Sequence, residues 1–175
     1  MQCLQNLFSK VKSITLAQIV LISIAFNPQL ASAQAAYGSY VGAGVSLGLN
    51  GNSNGEGRQL GGVIAGRYKL QELPFSLRTQ ALISGSSSAI VPTVSYDYPV
   101  NWQTDAYLGA GLVLPVGDSA TPVGDKASFA LQPGVDYSVP NSNTVVFGNA
   151  IFAFDAYRNG GGTAISVQGG VGVRF

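Results

Sequence analysis

The feature that most constrains this chain is an alternation of period two, apolar against small or polar, that recurs from Tyr37 to Phe175. Successive side chains on a strand point to opposite faces, so each such run reads as a strand with one apolar face. In Tyr37–Leu49 the odd positions include Tyr37, Val41, Ala43, Val45, Leu47 and Leu49, and the even ones are Gly38, Tyr40, Gly42, Gly44, Ser46 and Gly48. The next segment sets Leu60, Ile64, Tyr68 and Leu70 against Val63, Ala65, Arg67 and Lys69. Phe75–Ser86 sets Phe75, Leu77 and Ile83 against Ser76, Arg78 and Gln80, and Ala89–Tyr98 sets Ile90, Pro92, Val94, Tyr96 and Tyr98 against Thr93, Ser95 and Asp97. Gln103–Leu114 opposes Leu108, Leu112 and Leu114 to Asp105, Tyr107 and Gly109, and Ala127–Val139 opposes Phe129, Leu131, Val135 and Tyr137 to Gln132, Gly134 and Asp136. Thr144–Asp155 alternates least clearly, with Val146, Ala150, Phe152 and Phe154 taken as the apolar face and Asn149 and Asp155 opposite. Gly162–Phe175 closes the series, with Ile165, Val167, Val171, Val173 and Phe175 against Ser166, Gln168, Gly170, Gly172 and Arg174.

Eight strands, each near or above the roughly 9–11 residues needed to cross a bilayer with tilt, predict an all-β, eight-stranded antiparallel up-and-down transmembrane barrel. The connections support this. Gln71–Pro74, Pro99–Trp102 and Pro140–Asn143 are tight, whereas Asn50–Arg58, Pro115–Lys126 and Tyr157–Gly161 are longer; the link near Ser87 departs from the plan by being short. Composition enters here: charged residues are 10% of the chain, against roughly 25% for a soluble domain. Every strand charge falls on the small and polar face, so the apolar face is left for lipid. A soluble, lipocalin-like barrel would carry its charges on the outer face instead.

The N-terminus reads as an export signal. Lys10 and Lys12 precede the uncharged apolar run Ile14–Phe26, Pro28 breaks it, and Ala31-Ser32-Ala33 is a small-x-small cleavage site. Residues 1–33 are therefore expected to be a signal peptide and 34–175 the barrel domain, with both termini on the periplasmic side. The chain has no histidine, and its one cysteine, Cys3, leaves with the peptide. No metal site or cofactor is expected, and neither a His-based triad nor a thiol nucleophile is possible after cleavage. After Ala33 seven basic and eight acidic residues remain, a net charge of −1, which implies no nucleic-acid partner.

Aromatic placement gives an independent test. With the first strand running outward, Tyr37, Tyr68, Phe75, Tyr96, Tyr98, Tyr137 and Phe175 all fall on the apolar face at the periplasmic end, with Trp102 in a nearby turn. Phe129, Phe152 and Phe154 fall at the opposite rim. Two such girdles mark the two membrane interfaces. Pro92 and Pro133 each remove a ladder donor, and a bulge is expected at each.

The last residues carry a resemblance. Gln168, Gly170, Val173 and Phe175 match the polar, glycine, apolar and terminal aromatic positions of the assembly signal on the final strand of outer-membrane barrels. Over residues 36–175 the chain resembles the small eight-stranded outer-membrane β-barrel class. The resemblance implies recognition by the barrel-assembly machinery; outer-membrane lipid as surroundings and a monomer are expected as well. Enzymes of that class rely on histidine or a His-Ser pair, so its absence points away from an enzyme. The pairs Gly42-x-Gly44 and Gly109-x-Gly111 lie inside strands with no following helix, and read as space in a narrow lumen and not as phosphate loops.

The site expected from the sequence is the interior charge. Arg67, Lys69, Arg78 and Arg174 project inward near the periplasmic end, and Asp97, Asp105 and Asp136 face them from the opposite wall. These residues predict an interstrand ion-pair network that plugs the periplasmic half. The function expected is a non-enzymatic structural or surface-interaction barrel; the alternative is a low-conductance channel for ions or small solutes, with those pairs as its gate. Asp155 is expected to pair with Arg158 or water. Asp118 and Asp125, without ordered spacing, do not make a calcium site.

Overall fold

In a computed structural model, which describes residues 38–50, 59–70, 73–85, 87–117, 121–158 and 161–175, eight strands follow one another around a closed barrel. They are β1 (Tyr40–Gly48), β2 (Leu60–Lys69), β3 (Phe75–Ser84), β4 (Ser87–Asn101), β5 (Thr104–Val116), β6 (Ser128–Ser138), β7 (Thr144–Phe154) and β8 (Ala164–Arg174). Every strand pairs antiparallel with its sequence neighbours, and β1 pairs with β8 to close the ring. Closure satisfies the backbone of every strand on both sides, which is what lipid demands. The expected signal peptide and Tyr37 lie outside the described residues.

The register fixes the barrel's geometry. Partners run Tyr40, Arg67, Arg78, Thr93, Gly111, Ala130, Ala153, Ala164, and the β1–β8 pairing Gly48↔Ser166 then sets Ala164 opposite position 50, ten residues along from Tyr40. That stagger tilts the strands steeply and leaves an interior just wide enough for side chains. The phase predicted from alternation holds on all eight strands: Val45, Leu60, Leu77, Val94, Leu108, Val135, Val146 and Val171 are exposed, and the charged strand residues turn inward. The girdle aromatics Tyr68, Phe75, Tyr96, Tyr98, Tyr137 and Phe175 are exposed at the end where the described barrel starts (Gly38) and stops (Phe175), its terminal end, and Phe75 and Tyr96 meet edge to face. At the other rim Phe129 stacks on Phe154.

Several local expectations need correction. Neither Pro92 nor Pro133 makes a bulge. Register is constant on both sides of each, from Ile90↔Leu114 to Thr93↔Gly111 and from Leu131↔Phe152 to Gly134↔Asn149. In an antiparallel strand a residue's N–H faces one neighbour only. Pro92 interrupts the ladder to β5 while pairing with Thr79 on β3, and Pro133 interrupts the ladder to β7 while pairing with Leu108 on β5. The one register shift lies between Pro99 and Asn101, because β4 runs on through a stretch expected to be turn. The link near Ser87 is a two-residue hairpin between the paired Ser84 and Ser87, entered through Gly85 at φ 56°.

Candidate functional site

The strand order brings six of the seven predicted interior charges into one layer at the end nearest the termini. Arg67, from β2, is the hub. Its Nη2 donates to Asp97 and Asp105 at 2.9 Å each, and its Nη1 donates to Asp136 at 3.1 Å. Those carboxylates come from β4, β5 and β6, so one guanidinium ties four strands together across the lumen. Arg78, from β3, donates through one nitrogen to Asp136 at 2.8 Å and to Asp97 at 3.2 Å. Lys69 reaches Asp97 at 3.0 Å. Three cations therefore meet three carboxylates, and both arginines and all three aspartates are buried. Planar guanidinium forks suit this duty, since each presents several donors in a fixed geometry.

Neutral groups complete the layer. Ser76 donates to Asp97 and also accepts from Arg67 Nε at 3.2 Å; Ser95 donates to Asp97 at 2.8 Å and accepts from Arg78 Nε at 2.9 Å. Tyr40 donates its hydroxyl to Asp136 at 3.0 Å. The Tyr107 ring lies under the Arg78 guanidinium, 3.3 Å from ring centroid to Cζ, a cation–π contact in a desolvated setting. Phe147 stacks on Tyr40 at 5.9 Å and finishes the wall on the β7 side. The tyrosines and serines were on the inward face of the predicted strands, but period-two reading assigns a face and not a partner. Phe147 does not stand out in the sequence because β7 carries large apolar side chains on both faces.

Arg174 does not join. Its Nη2 donates to the carbonyl of Ser142 at 2.6 Å, and its backbone N–H donates to Asn143 at 2.7 Å. As the last residue of β8 it lies level with the β6–β7 turn and pins that turn instead of reaching the carboxylates. Asp155 is also reassigned: it pairs with Lys126, while Arg158 bonds Asp125 through its N–H at 2.9 Å and its Nε at 3.2 Å.

The lumen glycines do more than leave space. A Cβ on Gly134 would stand 2.4 Å from Tyr107 Cζ, and one on Gly42 or Gly170 would stand 2.9 or 2.7 Å from the Phe147 ring. Bare backbone at these positions seats the two aromatic rings that fill the layer. Among the assembly-signal residues, Gly170 faces the lumen as part of this seat, Gln168 is buried and donates to Ser166 at 2.7 Å, and Val173 and Phe175 are exposed on the outer face.

Farther from the termini the interior changes character twice. Thr93, Gln132 and Asn149 form a hydrogen-bonded band: Thr93 Oγ1 donates to Gln132 at 2.7 Å, and Gln132 Nε2 donates to Asn149 at 3.3 Å. Beyond it come Val63, Leu82, Val91, Val113 and Ile151, all buried, with Ala89, Ala130 and Ala153.

A closed, eight-stranded, all-antiparallel barrel with an apolar exterior and a charged interior is the architecture of the small outer-membrane barrels. Among solved structures, Neisserial surface protein A is similar at 21% identity, over 78% of this chain and 97% of that one, with a TM-score of 0.54. Ail, the attachment invasion locus protein of Yersinia pestis, is similar at 15% identity, over 80% of this chain and 99% of that one, with a TM-score of 0.53. A de novo designed transmembrane β-barrel reaches the same TM-score of 0.53 at 11% identity, over 79% of this chain and 96% of the design. A design shares the likeness as fully as the natural proteins do, so the likeness describes the fold. No protein-family model matches the chain, and no curated protein sequence matches it.

Proposed function

We propose that this chain is a non-enzymatic integral outer-membrane barrel whose interior is filled, and that its role is structural or one of interaction at the cell surface. The observation that carries this reading is the Arg67 hub, which holds carboxylates from β4, β5 and β6 within 3.1 Å on side chains at most 3% exposed. A lumen crossed by such a layer is packed with side chains, and removing any one partner leaves a buried charge uncompensated. The lack of histidine supports the non-enzymatic part, because the serines of the lumen have no imidazole base.

Export belongs to the same proposal. Residues 1–33 direct secretion and are removed after Ala33; the assembly machinery then acts on the final strand through Gln168, Gly170, Val173 and Phe175, and the monomer sits in outer-membrane lipid. The test starts from protein purified from outer-membrane fractions. Its N-terminus is expected at Gln34 by mass spectrometry, its gel mobility is expected to change on boiling, and planar bilayers containing it are expected to stay silent. Reproducible single-channel steps from the wild-type protein would replace this reading with a channel.

A further inference from the structure

The ionic layer is conspicuous, yet its chemistry is a poor barrier. Fixed charges and hydroxyls can exchange partners with water and ions, whereas an apolar constriction stays shut because water will not wet it. The outer half of this lumen holds such a constriction on the walls of β2 to β5 and β7, closed against a neutral β1–β8 wall where the buried Gln168 donates to Ser46 and Ser166. Leu82, Val91, Val113 and Ile151 have no exposed surface, and no charged side chain of a described strand lies among them.

A loop completes it. Thr121 and Gly124 exchange backbone hydrogen bonds at 3.0 Å, making a tight turn that carries Val123 inward to full burial. The turn is tied down from the next loop: Asp125 and Lys126 donate their N–H groups to the Ala156 carbonyl at 3.0 and 3.1 Å. Tyr157, itself buried, donates to the Asn50 carbonyl at 3.2 Å and so links a third connection to the cover. Gly124 is the seat. It has φ 102°, and a Cβ there would stand 2.3 Å from the Ala156 carbonyl oxygen. Any other residue would be strained and would also push the turn off Ala156.

We infer that the barrel's barrier to passage is this outer apolar half with Val123 as its cork, and that the ionic layer fastens the strands without sealing them. The inference rests on the filled-lumen reading and adds where the filling excludes ions. The test compares two purified full-length variants in planar bilayers, each first shown to be folded by heat-modifiable migration. Leu82→Ser/Ile151→Ser/Gly124→Val opens the outer half and is expected to raise conductance about tenfold or more over the wild-type leak. Arg78→Gln/Asp97→Asn loosens the ionic layer and is expected to stay silent. Should the triple variant fail to fold, Val123→Ser/Gly124→Val, confined to the loop, is expected to conduct intermittently. Conductance from the ionic-layer variant, or silence from every folded outer-half variant, would overturn the inference. A conducting wild type instead removes the filled-lumen reading on which it stands.

Discussion

The two halves of the lumen hold the same barrel together by opposite means. In the half near the termini, charges from five strands meet in one layer, where each group's cost of burial is offset by named partners. In the outer half, apolar side chains fill most of the same cross-section, beside neutral hydrogen bonds such as those from Gln168 to Ser46 and Ser166. The first arrangement is specific and brittle, because deleting one member strands the others. The second is tolerant, because its cost follows the volume removed. A buried ion layer adds little net stability over apolar packing, but it dictates which residue on one strand faces which on the next. A one-residue slip of any strand from β2 to β6 would carry its charges to the lipid face.

Substitutions put that contrast to the test. Asp97→Ala is expected to have the largest effect, about 3–5 kcal/mol of unfolding free energy in denaturant titration from lipid, since Arg67, Lys69 and Arg78 all lean on it. Ile151→Ala should cost about 2–4 kcal/mol by the same measurement, the usual range for a large cavity in a core. If the two costs proved equal and Asp97→Leu restored neither, the ionic half would be behaving as ordinary packing. Gly134→Ala should cost about 1–3 kcal/mol by driving a methyl into the Tyr107 ring, and Tyr107→Leu should relieve most of it in a double-mutant cycle. Lys126→Ala, outside the lumen on an exposed pair with Asp155, should change stability by less than about 1 kcal/mol. A larger loss there would show that the cover over the mouth is coupled to the barrel's global stability.

The contrast also separates what was legible in the sequence from what was not. Strand phase was legible because period two ties each residue to a face, and the interior charges could sit on one face only. Their convergence was partly legible, since position along a strand sets depth. Arg174 failed this test: being on the right face and near the right depth did not place it beside a carboxylate, and the β6–β7 turn lay closer. The prolines misled because a missing N–H disturbs one of two ladders, which a single strand's sequence cannot resolve. Phe147 and Ile151 hid in the strand whose alternation is least clear, because its inward face carries large apolar side chains too. The seating of Val123 was invisible, as a loop rich in Pro, Gly and Asp does not announce what it folds against.

The segregation of charge has a consequence for how such a chain could enter a bilayer. For a chain approaching from the side of its termini, the outer ends of the strands lead and the terminal ends trail. The leading strand ends are uncharged on both faces, so the charges that cross the hydrocarbon with them are those of the loops, Asp125, Lys126, Asp155 and Arg158 among them. The arginines and aspartates of the ionic layer would follow only as far as the near interface, where water still reaches them. An Arg or Lys placed at the bilayer midplane on a lipid-facing strand costs about 2–4 kcal/mol. Holding the ionic layer at the trailing end spares its three cations, Arg67, Lys69 and Arg78, that cost, and spares Asp97, Asp105 and Asp136 a smaller one.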